Sequence, residues 1–244
     1  MLKSPIKLYS IPNVLTGMNI LCGCFAIVCA VTERLTWTPY WIIGAAMFDF
    51  LDGFVARVFN KHSEIGLQLD SLADMVSFGL APAIVACQLM RNALYMNPFS
   101  GPSWALLLIE HWPFMIAVFS AFRLAKFNVD TRQSYSFIGL PTPANALFFA
   151  GLIWAIEHRI LYLSSLSARP FVLVWFICLF CFLLVSEFPM FSLKFKSFAP
   201  SSNVARYSFI ALSLSLIYVI GLSALSLIII LYISMSLISY LLSR

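Results

Sequence analysis

The chain is a succession of apolar stretches, each about 20 residues long, separated by short polar or breaker-rich links. That pattern leaves little choice of fold. The stretches fall near 12–32, 37–58, 66–90, 104–126, 140–158, 168–186, 207–222 and 227–243. Crossing the hydrocarbon of a bilayer takes roughly 20 mostly apolar residues in a helix, and a helix satisfies its own backbone there. The sequence therefore predicts an all-α membrane protein with about eight transmembrane helices. Only 10% of the 244 residues are charged, too few to cover a water-soluble globule, where about 25% is typical.

The first apolar run follows Lys3 and Lys7 and contains Asn13, Thr16 and Asn19. It is long enough to span and lacks a small-x-small cleavage site, so it reads as a retained helix rather than a removable leader. Basic residues then set orientation. With the N-terminus in the cytoplasm, that side collects Lys3, Lys7, Arg57, Lys61, Arg123, Lys126, Arg132, Lys194, Lys196, Arg206 and Arg244. The far side collects Arg34, Arg91, Arg159 and Arg169, which completes the 15 basic residues. The net charge of +5 is thus explained by membrane topology, with no nucleic-acid partner. The compact form and the lack of a eukaryotic-type targeting signal point to a bacterial inner membrane. Cys178 and Cys181 have C-x-x-C spacing, but no second pair or nearby histidine supports a metal or redox site. The six cysteines read as small hydrophobes.

Against this apolar background, Asp49, Asp52, Asp70 and Asp74 lie within or at the ends of two consecutive helices. A carboxylate near hydrocarbon costs several kcal/mol, and four together repel one another. Arg57 is the only basic residue close in sequence to the first pair, so a divalent cation is the economical counter-charge; Mg²⁺ prefers such oxygen ligands and often bridges them to phosphates. At about 100° per residue, Asp49, Asp52, Gly53, Ala56 and Arg57 share one helix face, and Gly66, Asp70, Asp74 and Ser77 share another. A short link makes the two helices antiparallel neighbours, so the acids can converge. Gly53, Ala56 and Gly66 keep the surface free of bulk, and Arg57 offers a planar fork to phosphate oxygens. The same residue types taken singly could be packing positions or helix–helix hydrogen-bond partners, and acids at this spacing could line a cation path.

The run from Asp49 through Asp52, Gly53, Ala56 and Arg57 to Gly66, Asp70 and Asp74 resembles the signature of the CDP-alcohol phosphotransferase family, with all eight positions and their spacing matched. The resemblance implies a six-helix catalytic core. It implies that Asp49, Asp52, Asp70 and Asp74 ligate Mg²⁺ or Mn²⁺, two ions in all, and that Asp52, Gly53, Ala56, Arg57 and Gly66 contact the CDP moiety. Asp74 is implied as the general base, the protein as a homodimer, and the site as open to the cytosol. Residues 1–186 would hold the N-terminal segment and core. Residues 187–244 would add a cytoplasmic loop and two Ser-rich helices, read as scaffold or a peripheral pair.

Shorter segments narrow the acceptor. Ile11 to Thr16, Ser77 to Ala83, Phe122 to Asn128 and Gly139 to Ala144 resemble the serine-using members of that family. The implied reaction moves a phosphatidyl group from CDP-diacylglycerol to the hydroxyl of L-serine, giving phosphatidylserine and CMP. Serine recognition needs a cation for the carboxylate, which Arg123 or Lys126 could provide, and a hydrogen-bonding partner such as Asn128. The alternative is that these basic residues are cytoplasmic anchors. Other acceptors, glycerol 3-phosphate or inositol phosphate, stay open, as does a cation transporter. A phosphohistidine route is disfavoured, because none of His62, His111 and His158 begins an H-x-K-x-x-x-x-D motif.

Overall fold

The structure, a computed structural model, describes residues 10–59, 63–130, 138–160, 169–191 and 203–242. Lys3, Lys7, Lys61, His62, Arg132, Lys194, Lys196 and Arg244, used above for orientation and chemistry, lie outside the described residues.

Every element that positions the site is helical. α1 (Ile11–Val31) begins where Ser10 accepts the Asn13 N–H at 3.4 Å, with Pro12 in the first turn; both are start signals. α2 (Thr38–Val58) starts on Pro39. α3 (Glu64–Met96) is a single 33-residue helix, capped by Ser63 accepting the Gly66 N–H at 3.0 Å. It contains a π-helical turn at Met75–Leu80, directly after Asp74. α4 (Ser103–Val129) spans 27 residues and tightens to a 3₁₀ turn at Trp112–Phe114, where Pro113 lacks the N–H that a regular helix needs. His111 ends the part before that turn. α5 (Thr142–Glu157) and α6 (Pro170–Val185) follow, then α7 (Val204–Ile220) and α8 (Ala224–Leu242).

By length and apolarity, four stretches among the described residues can cross a membrane: α1, α3, α4 and the 38 residues Val204–Leu241. The last is not one rod. Gly221 has φ +59° and ψ −141°, a left-handed conformation that glycine adopts without steric cost. The chain folds back there, so that the Phe209 and Tyr232 rings lie 6.2 Å apart across the hairpin. α2 is 21 residues long but carries the acidic pair and Arg57, which lowers its apolarity. Large apolar side chains such as Phe50 (66% exposed), Phe171 (79%) and Tyr218 (92%) project outward where water would be a poor solvent. The molecule is an integral membrane protein.

α1 packs along α2 and α3, while α5 lies at the centre against α2, α3 and α8. Most of α5 is buried, and Phe148 stacks on Phe180 of α6 at 4.2 Å. The start of α5 is fixed by the preceding strap. Gly139 has φ +76°, and a Cβ there would stand 2.9 Å from the Leu184 and Ser186 carbonyl oxygens. The Gly139 N–H donates to the Phe188 carbonyl and the Leu140 N–H to that of Leu183, both at 2.9 Å. The six cysteines are free thiols.

The closing hairpin is docked on α5. Ser226 Oγ donates to the Phe148 carbonyl at 2.7 Å, and a Cβ on Gly151 would approach the Ser226 nitrogen to 2.6 Å. Small residues allow this approach. Gly151→Ala is expected to cost about 1–3 kcal/mol through that collision, read as an earlier thermal unfolding transition in detergent, with divalent-metal binding kept.

Candidate functional site

The two acidic helices meet as their spacing predicts. Asp49 of α2 and Asp70 and Asp74 of α3 bring carboxylate oxygens within 4.8 Å of one another. All three are half-buried, and Asp74 Oδ1 is buried with no hydrogen-bond partner. Like charges this close repel by an amount on the order of several kcal/mol per pair, even at an effective dielectric constant of 20. An oxygen-only set with one unclaimed buried oxygen fits a hard divalent cation. The residues present therefore suit a metal centre.

Asp52 stands slightly apart. It is 6% exposed, and the Thr16 hydroxyl lies 2.6 Å from its Oδ2 and 3.0 Å from the Pro12 carbonyl. With one proton to give, the hydroxyl gives it to the charged and closer acceptor. The helix pitch puts Asp52 beside Asp49, but α1 claims one of its oxygens. Thr16 was not among the expected site residues. Its signal was a set of polar residues, Asn13, Thr16 and Asn19, three apart in an otherwise apolar helix. Thr16→Val keeps the side-chain shape and removes the donor. If the cavity beside Asp52 takes the CDP moiety that the resemblance implies, the KM for that substrate is expected to rise about 10-fold, the scale of a hydrogen bond to a charged group, with the KM for the acceptor unchanged.

Beside the acids lies a cavity of about 700 Å³. Asp52, Gly53, Ala56, Arg57, Gly66 and Asp70 line it, together with Pro12, Asn13 and Thr16 from α1. Asp70 thus belongs to both cavity and carboxylate cluster. A Cβ on Gly53 would meet nothing within 4 Å, so the space before it is open. Gly66 is tighter: a Cβ there would stand 2.9 Å from Ser63 Oγ and 3.3 Å from Asn13 Oδ1. Arg57 is exposed at this cavity. A larger cavity, about 1140 Å³, lies among Phe99, Trp104, Trp112, Arg169 and Phe171. It includes none of the four aspartates and is dominated by apolar side chains, so the chemistry belongs to the smaller one.

The three residues expected to bind an acceptor part company. Arg123 is 7% exposed and interacts electrostatically with Asp74. Its Nη1 donates to Thr142 Oγ1 at 3.5 Å, its guanidinium lies 5.8 Å from the Phe127 ring centroid, and its Nε has no partner. Lys126 instead pairs with Glu187 at 3.4 Å. Asn128 donates to Ser71 Oγ at 2.8 Å, bracing α4 against α3. One residue nothing in the sequence had singled out also faces this region: Tyr232 of α8, 8% exposed, interacts electrostatically with Arg123. It is a tyrosine in an apolar Ser-rich helix, with no charge or motif around it to draw attention.

The sequence profile of the CDP-alcohol phosphatidyltransferase family matches residues 9–186. Among curated proteins, a CDP-diacylglycerol–serine O-phosphatidyltransferase of Helicobacter pylori is 31% identical over 222 residues, covering 90% of this chain and 86% of that protein. Proteins of the same name match from Bacillus subtilis, 33% identical over 183 residues, 74% of this chain and 90% of that protein, and from Saccharomyces cerevisiae, 31% over 189 residues, 67% and 64%.

Proposed function

Because this chain belongs to the CDP-alcohol phosphatidyltransferase family, we propose that it transfers a phosphatidyl group from CDP-diacylglycerol to the hydroxyl of L-serine, giving phosphatidylserine and CMP. The observation that carries this reading is the union of a three-carboxylate cluster with a cavity lined by small residues and Arg57. The cavity takes the CDP moiety: Gly53, Ala56 and Gly66 give the diphosphate close approach, Asp52 and Arg57 contact its polar groups, and Thr16 holds Asp52 in place. Asp49, Asp70 and Asp74, with the remaining oxygen of Asp52, would hold two Mg²⁺ or Mn²⁺ ions, which supply charge withdrawal from the diphosphate when bound.

Asp74 takes the proton from the serine hydroxyl. The serine oxygen attacks the phosphorus that carries diacylglycerol, the bond from that phosphorus to the CMP oxygen breaks, and CMP leaves. Arg123 supplies the cation for the serine carboxylate. Among the described residues it is the one basic side chain with an electrostatic link to Asp74, and Lys126 is already paired with Glu187. That favours an acceptor with one carboxylate over one bearing a phosphate, which calls for denser positive charge.

The reading extends to architecture. Eight membrane crossings follow if α2, α5, α6 and both arms of the final hairpin span together with α1, α3 and α4. The family match ends at residue 186, which supports a six-helix core in residues 1–186 and an added loop and hairpin in 187–244. Cytoplasmic orientation of the aspartates, in a bacterial inner membrane and in a homodimer, completes the proposal. The test is CMP release from CDP-diacylglycerol by the purified protein, with Mg²⁺ or Mn²⁺ and separately serine, glycerol 3-phosphate or inositol phosphate. Release that needs both metal and serine is expected. Release with another acceptor overturns the serine assignment, and no release from folded protein overturns the transferase reading.

A further inference from the structure

Around the π turn that follows Asp74, four helices turn polar side chains into one buried layer. Asn19 of α1, Ser77 of α3, Ser120 of α4 and Asn145 of α5 are each 0% exposed. Ser77 Oγ donates to the Asn19 backbone carbonyl at 2.9 Å. Beyond that bond, the Asn145 amide oxygen and nitrogen, the Asn19 side-chain amide and the Ser120 hydroxyl have no partner. Folded proteins rarely leave so many buried polar atoms unpaired in one place.

The layer adjoins the acceptor end of the site. Ser120 lies one helical turn before Arg123, and a Cβ on Gly79 of the π turn would stand 3.2 Å from the Ser120 Cβ. Arg123 bonds Thr142, and Asn145 follows Thr142 by one turn of α5. The unpartnered Asn145 amide, Ser120 hydroxyl and Arg123 Nε therefore lie on two helices packed against the π turn that directly follows Asp74, whose Oδ1 is also unclaimed.

We propose that Asn145 and Ser120 are specificity-determining residues of the acceptor site, holding the ammonium group of a 2-amino-3-hydroxy acid while Arg123 holds its carboxylate. This rests on the serine reading above. The chemistry is complementary atom by atom. Asn145 Oδ1 and Ser120 Oγ accept from the ammonium, Arg123 Nε donates to the carboxylate, and Asp74 Oδ1 is left for the hydroxyl proton. An acceptor bearing a phosphate and no ammonium leaves the Asn145 and Ser120 oxygens without a donor, which is a strong basis for rejection. The competing occupant is a file of water molecules carrying the proton away from Asp74.

The experiment uses the full-length protein in detergent with CDP-diacylglycerol, as wild type, Asn145→Ala and Ser120→Ala. Initial CMP release is measured against serine, with 3-hydroxypropanoate, serine without its ammonium, as a competing ligand. Asn145→Ala is expected to raise the serine KM about 10-fold, equivalent to about 1.4 kcal/mol. The KM for CDP-diacylglycerol, kcat and the inhibition constant of 3-hydroxypropanoate should not move. Ser120→Ala should move the same constant in the same direction and provides the comparison if the first variant does not fold. An unchanged serine KM in both folded variants overturns the proposal. So does a parallel rise for serine and 3-hydroxypropanoate, which marks a purely structural role, or a fall in kcat alone, which marks the water file. A wild type that turns over another acceptor instead of serine defeats the underlying reading, and that result needs no variant.

Discussion

Replacing Asp74 by Asn is expected to lower kcat by about 10³-fold or more while CDP-diacylglycerol still binds. The side chains are nearly the same shape, so packing around the start of the π turn survives. On the proposed mechanism, what is lost is a base, whose positioned proton transfer contributes about 10²–10⁴ in rate, and one oxygen ligand of the carboxylate cluster. Asp74 suits the role because its Oδ1 is buried and uncommitted, and because Arg123 lies close enough to act on it electrostatically. The variant should not be less stable without metal, since one of three mutually repelling carboxylates within 4.8 Å is gone. Rates of CMP release, nucleotide-lipid binding and thermal unfolding, with and without Mn²⁺, check all three statements. Activity within 10-fold of wild type would remove Asp74 from the base role.

The second large effect is expected at Arg123. Truncating a desolvated charge that meets a substrate carboxylate costs about 2–5 kcal/mol. Arg123→Ala should therefore raise the serine KM by about 100-fold or more and leave the KM for CDP-diacylglycerol near wild type. Arg123→Lys keeps the charge but loses the fork and should fall between. The graded series matters because Arg123 also braces Thr142 and faces Tyr232. If both variants lose serine and nucleotide-lipid affinity together, the residue is a strut. If the serine KM stays within about 3-fold, well under the 1.4 kcal/mol of a tenfold change, the carboxylate is bound elsewhere.

Much of the site could be read from residue spacing, since a helix converts sequence interval into direction. The i, i+3 and i, i+4 intervals put Asp49 with Asp52 and Asp70 with Asp74, and the short link made the faces meet. The break between the stretches at 207–222 and 227–243 was legible too, as a short interruption of apolar sequence at Gly221. The acceptor end was less so. Arg123, Lys126 and Asn128 sit within six residues, but a helix turns them apart: Arg123 goes inward to Asp74, Lys126 outward to Glu187, and Asn128 to Ser71. Asn145 and Tyr232 are contributed by helices distant in sequence, and polar residues in apolar runs carry no address until packing supplies one. Apolar length leaves α2 outside the four candidate spans, because the acids that make α2 interesting are what make it less apolar.

The π turn at Met75–Leu80 acts on α3 as a phase shifter. A wider turn adds roughly one residue to the helical winding, about 100° of azimuth by the pitch of a regular helix. The half of α3 that carries Asp70 and Asp74 and the half that carries Ala81, Val85 and Leu89 in the core are thereby set to different compass bearings on one rod. The reactive end can aim at α2 while the far end aims at the bundle interior, and neither bearing dictates the other. A side-chain change there alters one contact, but loss or gain of a single residue would swing every position beyond it.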